Sequence, residues 1–306
     1  MSKNPRLRLR SGDLVKVRSF EEIAATLEDD STLEGLPFQP EMRKYCGRTL
    51  RVLQPVKKLI IEYAKPELRW IRNTVILEYI NCDGEAHSGC DSFCYFLWKE
   101  AWLSRPGDQR QSSLQGDKHE VVPSSKNFRG PSALASDCQP VALEKATHPL
   151  PAWDIRQYIW DLTDSTAPFL KRIFLICVSL ARHIKRLIGV RLPYRFSGSL
   201  KKTPSSVFDL KPGDRIEVKN LDEIRATLDG SGKNRGLFFT KEMKRFCGQQ
   251  FTVLKPVDKI IIEETGEMQK LSHTVILEGA NCDGTTHFGC SRNCYLLWRK
   301  IWLKKV

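Results

Sequence analysis

The chain has 306 residues, 41% of them apolar, and 49 Lys and Arg against 36 Asp and Glu, giving a net charge of +13. That length suits two modest domains and a connector, and the apolar share is enough for ordinary cores. No segment approaches the ~18 consecutive apolar residues of a spanning helix. The N-terminal residues carry the charge of a signal sequence without an apolar segment behind it, so the expected location is cytoplasmic, with peripheral membrane association as a variant. In that compartment the ten cysteines are expected to be reduced or metal-bound rather than paired as disulfides.

The charge is uneven. Residues 1–104 carry 16 Lys and Arg against 15 Asp and Glu, residues 105–200 carry 14 against 8, and residues 201–306 carry 19 against 13. A basic connector and second half favour anionic partners, whether nucleic acid, acidic protein or an anionic membrane surface.

In chain order, Leu14 to Val17 follows a Gly-Asp turn and reads as a strand. Ser19 to Leu27 reads as a short helix, with Ser19 as its cap and Glu21 and Glu22 in the first turn. Leu50–Leu53, Lys58–Glu62 and Thr74–Glu78 are β-rich runs. Cys94 to Leu103 fits a helical stripe or an aromatic strand equally well. Residues 105–152 are rich in Ser, Pro, Gly, Asp and Gln and are expected to be a disordered linker. Residues 153–196 form a helical segment, with one short helix near Trp153 to Trp160 and an amphipathic one from Phe169 to Ile188.

Residues 197–306 then repeat the first hundred. Ala25-Thr26-Leu27 matches Ala226-Thr227-Leu228, Glu41-Met42 matches Glu242-Met243, and Cys46-Gly47 matches Cys247-Gly248. The offset falls from 201 to 200 before Thr74-Val75-Ile76-Leu77-Glu78, which matches Thr274-Val275-Ile276-Leu277-Glu278, and the match continues through Asn81-Cys82-Asp83-Gly84 to Trp102-Leu103. The fold expected is mainly β with helical additions: two tandem copies (1–104 and 197–306) of a small barrel or roll. Pro212-Gly213-Asp214-Arg215-Ile216-Glu217-Val218 resembles the first strand of SH3-like small barrels, some of which belong to translation and transcription factors. The run from Cys294 to Leu303 resembles an uncharacterised group of bacterial proteins associated with polysaccharide biosynthesis. Neither resemblance brings an activity or a site residue.

Each copy holds four matching cysteines, Cys46, Cys82, Cys90 and Cys94 or Cys247, Cys282, Cys290 and Cys294. Four thiolates suit a tetrahedral structural zinc, with His87 or His287 able to replace one of them. The competing readings are small buried hydrophobes, disulfides and a reactive thiol. Asp83 and Asp283, each before Gly, read as turn residues, and Trp98, Trp102, Trp298 and Trp302 as core. Lys171, Arg172, Arg182, Lys185 and Arg186 on the amphipathic helix, with Arg299, Lys300, Lys304 and Lys305 at the C-terminus, are the candidate anion-binding groups. No nucleotide loop, nucleophile elbow or metalloprotease motif occurs. The expectation is a non-enzymatic interaction or accessory protein with a protein partner. Nucleic-acid binding and a cysteine-dependent enzyme stand as the alternatives.

Overall fold

The structure is a computed structural model that describes residues 7–61, 67–107, 138–151, 153–163, 196–206, 208–284, 287 and 289–306, with positions 170, 173, 176, 177 and 181. In the first half, β1 (Leu14–Val17) leads to α1 (Phe20–Ala24), then to the short pair β2 (Thr32–Leu33) and β3 (Leu36–Pro37). A 3-10 helix, Pro40–Tyr45, precedes the long hairpin of β4 (Thr49–Ile61) and β5 (Glu67–Asn81). β6 (Tyr95–Lys99) and β7 (Leu103–Ser104) follow, separated by one 3-10 turn, Glu100–Trp102. The second half runs through β9 (Arg215–Val218), α4 (Leu221–Arg225), β10 (Lys233–Asn234), β11 (Leu237–Phe238), β12 (Gln250–Pro256), β13 (Lys259–Ile261), β14 (Met268–Lys270), β15 (Thr274–Asn281), β16 (Tyr295–Arg299) and β17 (Leu303–Lys305).

Strand order is β6-β5-β4-β1-β7 in the first sheet and β16-β15-β12-β9-β17 in the second. Register agrees as well: Val15 faces Leu50 as Ile216 faces Phe251, and Val75 faces Trp98 as Val275 faces Trp298. Period-2 burial sets these registers, since Val15 and Val17 point inward from β1 and Ile216 and Val218 from β9. Among the described residues the end strands of each sheet do not pair. Each unit is therefore an open, bent sheet, where the expectation was a small barrel. The bend has a local cause. Both sheets shift register between Val52 and Gln54 or Val253 and Lys255, and again between Ile76 and Asn81 or Ile276 and Asn281. Such bulges kink a strand and increase its twist.

The segment from Cys94 to Leu103 resolves as strand, 3-10 turn and strand. Its tryptophans are core: Trp98, Trp102, Trp298 and Trp302 are fully buried. Phe38 meets Trp102 edge-on at 5.3 Å and Phe239 meets Trp302 likewise at 5.3 Å. Each buried indole of the second pair position finds a hydroxyl, Trp102 donating to Thr26 and Trp302 to Thr227. Ser19 caps α1 in a reciprocal box with Glu22, and Asn220 with Glu223 does the same for α4.

The expected linker is corrected at its C-terminal end. Residues 139–146 form α2 (Gln139–Ala146), and His148–Pro149 adds strand β8 to β5. The composition around this helix is polar, yet Leu143 and Ala146 enter the first core. Gln139 is fully buried because its amide mimics a strand neighbour, donating to the Leu97 and Pro37 carbonyls and accepting from the Leu97 N–H. Arg69 holds the other end, donating to Thr147 Oγ1 and to the carbonyls of Glu144 and Thr147. Residues 108–137 lie outside the described residues. The helix near Trp153 to Trp160 is α3 (Arg156–Thr163), whose Trp160 ring lies 6.3 Å from that of Trp70. Of the expected amphipathic helix only positions 170, 173, 176, 177 and 181 are described, and its basic residues lie outside.

The two halves meet through paired contacts. Asp91 N–H donates to the Lys259 carbonyl and Ser291 N–H to the Lys58 carbonyl, matching positions by the sequence offset. Ile261 N–H donates to Cys90 Sγ and Ile60 N–H to Cys290 Sγ, both at 3.4 Å. Tyr95 and Tyr295 stack at 5.6 Å with an interplanar angle of 10°, as expected for two like residues at a local two-fold. At two places the matching residues differ, since Gln54, which matches Lys255, donates to the Ser291 carbonyl at 2.8 Å, and Ser92 matches Arg292. Lys255 pairs with Asp91 at 2.8 Å, and buried Arg292 forks onto Glu263 while donating to the Ile60 carbonyl.

Arg292→Ala should lower unfolding stability by about 3 kcal/mol, because it strands a partly buried carboxylate and a carbonyl at once; urea titration followed by tryptophan fluorescence measures it. A loss below about 0.5 kcal/mol, the range of ordinary surface substitutions, would contradict this account. Tyr79 offers a second check. It is exposed at φ 58°, at the bulge where the second sheet has Gly279 at φ 73°. Tyr79→Gly should therefore raise stability by about 0.5–1 kcal/mol, against the usual direction for glycine.

Candidate metal centres

A buried carboxylate begins each site. Glu41 sits in the 3-10 helix after β3 and Glu242 in its equivalent, Lys241–Phe246, and both are buried. The tight turn after β5 brings up the other donors. Cys82 follows the strand directly, Gly84 turns the chain at φ 79°, and His87 closes a 3-10 turn on the Gly84 carbonyl. A Cβ on Gly84 would collide with the Cys90 carbonyl, so only glycine allows this approach. Gly284 stands in the same relation to Cys290.

Two groups of donors result, Glu41, Cys82 and His87 in the first half and Glu242, Cys282 and His287 in the second, each with ligand atoms within 4.8 Å of one another. In the first, Glu41 Oε1 lies 3.9 Å from both Cys82 Sγ and His87 Nε2. In the second, His287 Nδ1 lies 3.6 Å from Cys282 Sγ and 3.4 Å from Glu242 Oε2. Donors bound tetrahedrally to zinc at 2.0–2.3 Å stand about 3.3–3.8 Å apart, so both sets fit with little movement. The donor chemistry, one sulfur, one imidazole and one carboxylate, also suits that ion. In the first group the atoms nearest one another are partly engaged, Glu41 Oε1 accepting from Ala86 N–H at 3.0 Å and His87 Nε2 lying beside the Gln39 amide, while the opposite atoms, Glu41 Oε2 and His87 Nδ1, are buried with no hydrogen-bond partner among the described residues.

The sites differ in detail. Gln39 places its amide nitrogen 2.5 Å from His87 Nε2, whereas Thr240 at the matching position is too short to do so. The second carboxylate is held by Asp283 N–H at 2.6 Å and by Arg245 at 3.8 Å. Asp83 and Asp283 are turn residues as expected; Asp83 accepts from Glu85 N–H and pairs with Lys44, and Asp283 pairs with Arg245.

The four-thiol set of the sequence analysis does not gather as one donor group. Cys46 ends its 3-10 helix, donating its N–H to the Arg43 carbonyl, and its thiol lies towards Glu21 and Arg43. Cys247 is placed alike, on the Lys244 carbonyl. Cys90 and Cys290 face the opposite half, and Cys94 is half-buried near Cys294. His87 and His287, expected only as substitutes, each belong to one of the two groups. Glu41 and Glu242 were visible in the sequence only as matched residues of the duplication, since a lone acid beside Met has no ligand spacing.

The cations of the expected anion-binding tail have partners within the fold. Arg299 is buried, donating to the Asn234 and Arg235 carbonyls, the Ser272 carbonyl and Thr274 Oγ1, and burial with Arg235 nearby lowers its pKa to about 10. Lys300 pairs with Asp209, Lys304 with Glu217 and Lys305 with Asp214. Their register against β9 sets the last two of these pairings. Among the described residues no helix is long and apolar enough to cross a membrane. No protein-family model, curated protein or solved structure matches the chain.

Burial pushes the Cys82 and Cys282 thiols well up, with the nearby Glu41 and Glu242 carboxylates adding to it. Burial raises Cys94 too, and Cys138 to about 12. A neutral thiol is a poor nucleophile, so these surroundings disfavour a free catalytic thiolate and suit a thiol deprotonated by a cation. The raised values also set a pH dependence. Such groups favour the folded chain below the ordinary thiol value of 9.0, and that stabilisation is lost as pH rises through the raised values. Chelator-treated protein should lose thermal stability steadily from about pH 9 to 12, read by circular dichroism. A melting temperature that stays level or rises over that interval would refute the assignment.

Proposed function

We propose that the protein is a non-enzymatic interaction or accessory protein built on two SH3-like half-barrel modules, each stabilised by one zinc ion. One observation carries the reading: residues some forty positions apart bring the same three donor types together in both halves. Glu41, Cys82 and His87 would hold one ion and Glu242, Cys282 and His287 the other. A metal at each place would neutralise a buried carboxylate and supply folding energy to a small sheet. The bacterial polysaccharide group that the C-terminal run resembles supplies the cellular setting of this proposal, with a protein as the partner. Nucleic-acid binding is less favoured, because the cations of the C-terminal tail already have partners within the fold.

Protein purified without chelator should contain about two zinc per chain by elemental analysis, and metal removal should lower its melting temperature. Glu41→Gln with Glu242→Gln should abolish most of that zinc, whereas Cys46→Ser with Cys247→Ser should retain it. Metal-free wild-type protein that takes up no zinc, or retention by the glutamine variant, would refute the proposal.

A further inference from the structure

A cavity of about 40 Å³ opens beside the first donor group, where the turn after β5, the start of α2 and the second half come together. Four sulfurs line it: Cys82, Cys90, Cys94 and Cys138, with His87 and Glu263 beside them. One water needs about 10–15 Å³ by the same kind of measure, so the cavity has room for an ion together with about two waters. Three donors from Glu41, Cys82 and His87 leave a tetrahedral ion one position short.

Cys138 is the candidate to fill it: it lines the same cavity as Cys82 and His87, and because it stands outside the group whose donor atoms all lie within 4.8 Å of one another, its side chain must turn toward the ion. It is 7% exposed, lines the cavity, and stands at the N-cap of α2, where its side chain makes no capping hydrogen bond. Cys90 is otherwise engaged, accepting from Ile261 N–H and lying 3.2 Å from Ser92 Oγ. The backbone at Cys138 is fixed, because Gln139 beside it is tied to both Leu97 and Pro37. Cys138 also lies outside the duplicated segments, so the second group has no counterpart to it in the repeat.

We propose that Cys138 is the fourth ligand of the first zinc site, so that an ion held by Glu41, Cys82 and His87 is closed by a thiolate carried on α2. The inference rests on the reading that the first group binds metal. Binding displaces the Cys138 thiol proton to solvent and forms one zinc–sulfur bond in exchange for a zinc-bound water. It also ties the chain beyond residue 137 to the first sheet, which makes α2 part of a metal-dependent unit and leaves the second site with an open position.

The full-length chain, stripped of metal and titrated with zinc against a competing chelator, tests this. Cys138→Ser should weaken one of the two sites by about tenfold or more and leave the other unchanged. In wild-type protein zinc should slow iodoacetamide labelling of Cys138 by a similar factor, read by mass spectrometry, while Cys46 labels at the same rate with or without zinc. The second measurement needs no variant, so a folding defect in Cys138→Ser cannot mask the answer. Equal zinc affinities in Cys138→Ser and wild type, or Cys138 labelling indifferent to zinc, would overturn the proposal. If Cys82→Ser then still loses a site, the three-donor reading survives without Cys138. A wild-type chain that binds no zinc overturns both.

Discussion

A carboxylate placed inside a small protein must be neutralised or paired, and the arrangement of both halves follows from this requirement at Glu41 and Glu242. Each lies under the turn that ends the longest strands, where a thiol and an imidazole stand close to it, joined in the second half by Arg245 at 3.8 Å. The glycine after the Cys-Asp pair is needed to fold that turn back on itself, and the backbone of Cys90 or Cys290 presses against it. The site, the turn and the contact between halves are thus one continuous piece of structure. A change at any of the three would be felt at the others, since Cys90 and Cys290 also accept hydrogen bonds from the opposite sheet.

Packing around this piece is conservative. Trp98, Trp102 and Phe38, with their partners Trp298, Trp302 and Phe239, fill each sheet with large aromatic volume in edge-to-face contact. The bulges that bend each sheet keep these rings enclosed without closing the hydrogen-bonded ladder. The first half gains a further layer from α2 and β8.

Much of this was legible in the sequence. Alternation located β1, the run Thr74–Glu78 lies within β5, and the runs beginning at Leu50 and Lys58, expected as successive strands either side of Pro55, form the single strand β4. The Ser19 cap located α1, and the duplication carries through to matched registers in the two sheets. The tryptophans read correctly as core. What stayed hidden was whatever depends on contacts distant in sequence. The α2 helix has a Pro and a Gln in its first turn within a polar stretch, and only the cradle of Leu97 and Pro37 makes Gln139 a buried residue. Arg299 looked like one of several cations in a basic tail, until four oxygens from other segments enclosed it. Glu41 has no spacing signature, because burial alone separates it from any surface acid. Cys46 shows the converse, where a repeated cysteine count suggested a convergence that its position at a helix end does not give.

Two matching surfaces fused in one polypeptide are released from having to stay identical. In a pair of separate, equal subunits any residue beside the symmetry axis faces a replica of itself, so a bulky cation there would meet a second one. Ser92 and Arg292 occupy equivalent places and have parted ways: the arginine fills its surroundings and grips Glu263, whereas the serine borders empty space. Fusion permits such divergence at matched positions, a freedom closed to a strictly symmetric dimer.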